Sequence, residues 1–277
     1  MAKLRRRSTL FVGALTLDDL PAALESGADL VCIDLEDAVP PDRKEEARAA
    51  VVARLAGVRI PESVQLVVRV NTAGSPEGLM DIRAVLSKVP ATGALLLPKV
   101  ESVDEVGTAA SIAAALRSPV DLYAIIETTR GLDDCAAIGR ADPRLKALFF
   151  GGFDLSTALG CEMAWEPLLY ARSRVVHAGA LGGIEVIDSP FSDVDDIEGL
   201  WEYCQRIKAL GMTGKTAKHA KQVATIRDAF TPGAVEIARA RRIVEMFHAD
   251  PTRPLVYEGK LVELPTIKRL ERFVDES

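Results

Sequence analysis

Apolar positions along this chain fall into two alternating modes. Short runs rich in β-branched and aromatic residues recur at 9–13 (TLFVG), 30–37 (LVCIDLED), 65–71 (QLVVRVN), 94–100 (ALLLPKV), 121–128 (DLYAIIET), 145–154 (LKALFFGGFD), 183–191 (GIEVIDSPF) and 211–219 (GMTGKTAKH). They are nearly continuous rather than alternating, as strands buried on both faces should be. The stretches between them carry helical signals. Thr16-Leu17-Asp18-Asp19 offers a cap followed by acids in a first turn, and Gly27 stops that helix. Pro40-Pro41-Asp42 opens a second, with Ala47, Val51 and Leu55 on one face. Thr231-Pro232 opens another, with Ile237, Ala240, Val244 and Phe247 as its predicted buried stripe.

Eight strands with intervening helices predict a (β/α)₈ TIM barrel, an α/β fold, over residues 1–249. The rival is an open doubly wound sheet, which needs a Gly-rich turn after its first strand. Val12-Gly13-Ala14-Leu15 is not G-x-G-x-x-G, so the barrel is preferred. Residues 250–277 differ in character: two prolines, a turn at Glu258-Gly259, then a short helix. They read as a short C-terminal extension, an arm or lid packing on the barrel or on a neighbouring subunit.

Composition narrows the function classes. A net charge of −6 and a pI near 5.3 disfavour non-specific nucleic-acid binding, which needs a cationic field. Arg5-Arg6-Arg7 is the only basic run and reads as a solvated terminus. With no secretory segment and no long apolar stretch, the expectation is a soluble, cytoplasmic protein without a membrane partner. The cysteines form no C-x-x-C pair, and no two of the three histidines stand four apart. Zinc, redox and His-rich helical metal sites are therefore unsupported.

Ionisable residues cluster where the apolar runs stop. They are Asp34, Glu36 and Asp37, then Arg69, Lys99 and Glu101, then Glu127, Asp154 and Asp188, and finally Lys215, Lys218 and His219. Buried charge is costly unless paired or metal-bound, so such a set at one end of a barrel suggests an active site. Some members, Asp34, Glu101 and Asp188 above all, would serve only to pair other charges. Glu127 and Asp154 have no His or Cys nearby in sequence, which suits a hard divalent cation, Mg²⁺ or Mn²⁺ in its place. Arg69 would clamp the carboxylate of a small 2-oxo acid, and the Gly151-Gly152 backbone would approach the anion closely. Such a site suits carbon–carbon cleavage or formation beside a carbonyl. Lys99 offers a competing Schiff-base mechanism, although an ion-paired Lys99 leaves the Glu127/Asp154 pair with a task.

These blocks together resemble the citrate lyase β-subunit-like branch of the HpcH/HpaI aldolase family. RRSTLFVGA, LVCIDLEDAVPPDRKEEAR, VRVN, LLLPKVES, IIETTRGL, FFGGFDLSTALG and GKTAKHAKQVATIRDAF follow in family order across nearly the whole chain. The resemblance implies Mg²⁺ on Glu127 and Asp154 and Arg69 as the oxo-acid clamp. It implies that Glu36 and Asp37 hold metal waters and orient Arg69. The implied reaction is Mg²⁺-dependent cleavage or formation of a 3-hydroxyacyl thioester such as malyl-, citramalyl- or citryl-CoA, giving a 2-oxo acid and an acyl thioester. The implied assembly is a homo-oligomer, a trimer or a multiple of it.

Three departures bear on that implication. The family's V-P-G after the first strand is Val12-Gly13-Ala14, and its I-H-P appears as Lys218-His219-Ala220. Both loops lie by analogy near the thioester entrance. The tail's usual aspartate appears as Glu263, either an acid/base reaching a neighbouring subunit or a surface residue. Arg7 would bind a phosphate of a CoA-like substrate, and Lys99 would contact substrate if it is not a structural pair. Two other readings stand beside the leading one. One is a CoA-independent aldolase acting on a free 2-oxo acid as its enolate. The other is an accessory subunit that needs an acyl-carrier-protein partner.

Overall fold

The computed structural model describes residues 5–89, 92–251 and 253–276. By internal packing the chain divides into two compact units, Met1–Phe230 and Thr231–Ser277. In the first, strands and helices alternate: β1 (Ser8–Gly13), α1 (Leu20–Glu25), β2 (Leu30–Asp34), α2 (Lys44–Leu55), β3 (Gln65–Arg69), α3 (Pro76–Lys88), β4 (Ala94–Leu97) and α4 (Val103–Ala115). The series continues with β5 (Asp121–Ile126), α5 (Thr129–Ile138), β6 (Leu145–Phe150), α6 (Gly152–Leu159), α7 (Trp165–Gly182), β7 (Glu185–Asp188), α8 (Ile197–Leu210), β8 (Gly214–Ala217) and α9 (Val223–Phe230). All eight strands pair in parallel and in chain order, and β8 closes on β1. The fold is the (β/α)₈ barrel that the alternating pattern predicts.

Two apolar layers hold it. Inside the barrel, Leu30, Cys32, Val67, Leu96, Tyr123 and Phe149 fill the lumen, so it is a packed core and not a pore. Outside, the opposite faces of the same strands meet the helices, and Ala47, Val51 and Leu55 of α2 are buried there as their spacing predicts. Because both faces are covered, the strands read as continuous apolar runs. Gly27 ends the first helix with φ of 81°, a conformation glycine adopts without a Cβ penalty.

From β2 to β8, each observed strand is shorter than its apolar run. β2 stops at Asp34, β4 at Leu97, β5 at Ile126 and β6 at Phe150. Glu36, Asp37, Lys99 and Glu127 therefore lie in the loops beyond the strands, and Asp154 lies in the first turn of α6. All remain at the carboxyl end of the barrel.

The opposite end is closed by charge. Arg6 donates to Tyr123 Oη (2.6 Å), Glu185 (2.7 Å) and Asp121 (3.0 Å), and Tyr123 in turn hydrogen-bonds Gln65. Arg7 holds Asp29 with its Nε (2.9 Å) and Nη2 (2.7 Å). Arg6 and Arg7 are thus seated in ion pairs, not solvated as expected. The partners of Arg6 were invisible because Tyr123 and Glu185 are more than a hundred residues away.

The second unit holds α10 (Ala234–Ala249), a hairpin of β9 (Leu255–Tyr257) and β10 (Lys260–Val262), and α11 (Leu264–Glu276). It begins N-terminal to the 249/250 boundary expected from sequence, because α10 packs chiefly on α11. Ala240 and Ile243 of α10 are buried, while Ile237, Val244 and Phe247 are half-buried. The hairpin turns at Glu258-Gly259, where φ is 50° and 76°, the positive pair that a two-residue type I′ turn requires.

Candidate active site

Glu127 and Asp154 arrive from neighbouring strands. Glu127 follows the last residue of β5 and precedes Thr128, the N-cap of α5, whose side chain accepts from Gly131 N at 3.0 Å. The carboxylate is thus pinned between a strand end and a helix start. It is 3% exposed, and its Oε1 accepts from the backbone N–H of Lys99 at 2.8 Å. Burial pushes its pKa up to about 8, and the charges of Asp154 and Glu36 push in the same direction. Asp154, in contrast, is exposed.

Beside them lies a second cluster. Arg69, the last residue of β3, gives its Nε (2.7 Å) and Nη2 (2.6 Å) to Asp34, and stacks over Phe11 with 5.3 Å from guanidinium carbon to ring centroid. Its Nη1 points to Glu36 Oε2 (3.1 Å) and Asp37 Oδ2 (3.5 Å). Lys99 Nζ pairs with Glu36 Oε1 and with Asp37 at 3.2 Å. Burial works against the Lys99 charge, but Glu36 and Asp37 outweigh it and raise its pKa, so the amine stays protonated. Burial pushes the Glu36 carboxyl up. Asp37 is held low, because its hydrogen bond to Glu36 and the Arg69 and Lys99 charges outweigh its own burial.

A cavity of about 330 Å³ opens over these groups, lined by Asp34, Asp37, Arg69, Glu127, Gly151 and Asp154 and by the aromatic rings of Phe11, Phe149 and Phe153. Glu36 and Lys99 line an adjoining polar cavity of about 680 Å³ that shares Asp37.

The residues fit a hard cation. Two carboxylates from separate strands suit Mg²⁺, which keeps several positions for water and substrate oxygens. Among the described residues there is no cluster of three or more His, Cys, Asp or Glu to make an all-protein cage. Gly151 leaves the necessary room, since a Cβ there would overlap the Cβ and Oε2 of Glu127.

The expected site residues divide accordingly. Glu36, Asp37, Arg69, Lys99, Glu127, Gly151 and Asp154 come together. Arg7 does not, because it pairs with Asp29 at the amino end of the barrel. Gly152 does not face the cavity; a Cβ on it would meet Met163 and Phe150. Gly151 faces it, but its N–H donates to Ile126 O at 3.0 Å, so it makes room for Glu127 and offers no free donor to an anion. Glu263 belongs to the second unit, where it is exposed just before α11. His219 accepts from Lys221 N through Nδ1, a local structural role.

Asp34 is the charge partner expected from sequence, and it takes the bidentate edge of Arg69 that was expected to clamp substrate. Phe11, Ile125 and Phe149, which the sequence does not mark as site residues, line the cavity from inside the barrel. Their signal was the period-two inward face of each strand, on which Arg69 also lies.

Residues 7–220 match the HpcH/HpaI aldolase/citrate lyase family. An L-malyl-CoA/beta-methylmalyl-CoA lyase of Cereibacter sphaeroides is 31% identical over 91% of this chain and 88% of its own length. The mitochondrial citramalyl-CoA lyase of Homo sapiens is 27% identical over 97% of this chain and 84% of its own length. The protein CitE from Mycobacterium tuberculosis, solved with magnesium, acetoacetate and coenzyme A, superposes with a TM-score of 0.80 at 28% identity, covering 98% of each chain. With a closed barrel, a two-carboxylate site and these relatives, the chain belongs to the HpcH/HpaI aldolase/citrate lyase family and is a lyase.

Proposed function

We propose that the chain cleaves, or in reverse forms, the carbon–carbon bond of a 3-hydroxyacyl-CoA thioester, giving a 2-oxo acid and an acyl thioester. The observation that carries this is the pairing of buried Glu127 with exposed Asp154 beside Arg69 in one small cavity. Its volume suits a small acid, and the thioester half follows from the malyl-CoA and citramalyl-CoA lyase relatives and from the coenzyme A bound by the CitE neighbour.

Glu127 and Asp154 would hold Mg²⁺, the ion found in the same neighbour. When bound, it supplies a Lewis acid that polarises the hydroxyl, later carbonyl, oxygen of the oxo-acid half. Arg69 lines the cavity, its Nε and Nη2 held by Asp34 and its Nη1 beside Glu36 and Asp37, and would supply the positive charge that meets the carboxylate of the oxo acid. Glu36 Oε2 is buried beside Arg69 Nη1 at 3.1 Å and helps hold the guanidinium in place. The Phe11, Phe149 and Phe153 rings keep bulk water from the reacting carbon. Cleavage would pass the hydroxyl proton to a carboxylate of the lining such as Asp37 and break the adjacent carbon–carbon bond, with the electron pair leaving on the thioester enolate. Glu263 is the candidate to protonate that enolate from a second subunit. Lys99, protonated and paired, is not the nucleophile.

The test is turnover of malyl-, citramalyl- and citryl-CoA with Mg²⁺. Glu127→Ala should lower kcat/KM by at least about a hundredfold, the range seen when a site loses one oxyanion-stabilising group. Unchanged turnover in that variant would refute the metal role. Condensation of free oxo acids without any thioester cleavage would replace this reading with the CoA-independent aldolase.

A further inference from the structure

Directly behind the cavity wall lies a cluster of charges with no role so far. Arg172 of α7, Asp188 at the end of β7 and Lys215 of β8 are 0%, 0% and 1% exposed. Asp188 accepts from Arg172 Nε at 3.2 Å and from Lys215 Nζ at 2.7 Å. Among the described residues it is the one carboxylate paired with either cation. Two buried cations thus share one anion. The excess is cushioned by polar and π contacts. Lys215 Nζ also donates to Ser189 O (2.5 Å) and sits 4.4 Å from the Tyr203 ring centroid. Arg172 donates to Tyr203 Oη (2.6 Å) and stacks over Phe150 at 4.8 Å. None of these contacts carries a negative charge, and Arg172 Nη1 has no hydrogen-bond partner.

The cluster is one residue deep from the cavity. Phe150, Ser189 and Thr216 all line it; the first is the ring under Arg172, the second bonds Lys215, and the third follows Lys215 in the strand. The lining itself is acidic. Asp34, Asp37, Glu127 and Asp154 stand against Arg69 and Lys218, so with every acid ionised it carries two negative charges. A divalent cation brings that lining only to neutrality. With the lining neutral overall, the net field over the cavity is set by the charges behind it, in addition to the local contacts from Arg69 and the metal.

We propose that Arg172 and Lys215 are specificity-determining residues: the surplus positive charge they hold around Asp188 makes the cavity select anions, and dianions over monoanions. This rests on the proposed oxo-acid site. At a distance of about 10 Å and an effective dielectric near 20, one unit charge changes binding of another by roughly tenfold, and salt screening reduces this to roughly three- to tenfold. The sign is opposite for the metal. A positive charge that draws the oxo acid repels Mg²⁺.

The experiment is calorimetry on the full chain and on Lys215→Met, which fills similar space without the charge. Arg172→Met removes the same surplus from the other side and serves if the first variant does not fold, as judged by its melting curve. Mg²⁺ is titrated alone, then pyruvate and oxaloacetate at saturating Mg²⁺. The expected result is Mg²⁺ binding tightened roughly tenfold or more, pyruvate weakened roughly three- to tenfold, and oxaloacetate weakened by about the square of the pyruvate factor. Lys215→Arg should leave all three near the wild type. Metal and oxo acids weakened together, or equal losses for pyruvate and oxaloacetate, would mean a distorted wall and overturn the proposal while leaving the oxo-acid site intact. A wild-type chain that binds neither Mg²⁺ nor an oxo acid would remove the site on which both readings stand.

Discussion

Gly151 shows how narrowly the carboxylate pair is built. Its missing Cβ is the space that Glu127 occupies, with Ile125 behind it. In Gly151→Ala the new methyl and the Glu127 carboxylate cannot both keep their places. The fold should survive, at a cost of about 1–3 kcal/mol as for other overpacked sites. Mg²⁺ affinity should fall more than tenfold, and titration calorimetry beside a melting curve separates the two effects. The nearness of Glu127 and Asp154 was legible in the sequence because each follows a neighbouring apolar run at the same end of the barrel. Gly151 was noticed for the wrong reason, as a backbone donor, because only the structure shows that Ile126 O already takes its N–H. Asp34 was legible as a charge partner, but which charge it pairs was not: the register that sets it opposite Arg69 is a fact of strand pairing.

At the level of elements, the turn from β5 into α5 deserves the weight that strand ends received. Thr128 caps the helix one residue after Glu127 and so fixes where the carboxylate leaves the sheet. Thr128→Ala should cost about 1 kcal/mol of stability, the usual loss of a cap. It should also loosen Glu127, so that Mg²⁺ protects less against thermal unfolding than in the wild type; equal protection in both would separate the cap from the site. Lys99 makes a similar point at the end of β4. Its φ of 50° is uncommon for a non-glycine residue, and that backbone turn carries the N–H bonded to Glu127 Oε1. The eight strands were legible because both their faces are buried and the apolar runs are unbroken. Their ends were not, since the same runs pass into loop residues such as Leu35, Val70 and Val100, all buried outside any strand.

For the whole molecule, the division at Phe230 makes a prediction about labour. Every residue lining the cavity lies in Met1–Phe230, and that unit contains the closed sheet and both apolar layers. Glu263, the candidate acid/base, lies in the other. A chain ending at Phe230 should therefore fold, with far-ultraviolet circular dichroism of a barrel, and bind Mg²⁺ and pyruvate within about threefold of the full chain. If Glu263 protonates the departing enolate, the same truncation should lower kcat by about a hundredfold or more, within the range general acid–base groups contribute. Glu263→Gln in the full chain should reproduce most of that loss without altering oxo-acid affinity. Full activity in Glu263→Gln, with activity lost only on truncation, would assign the second unit a covering role and leave the proton donor to be sought among Glu36, Asp37 and their neighbours on the barrel.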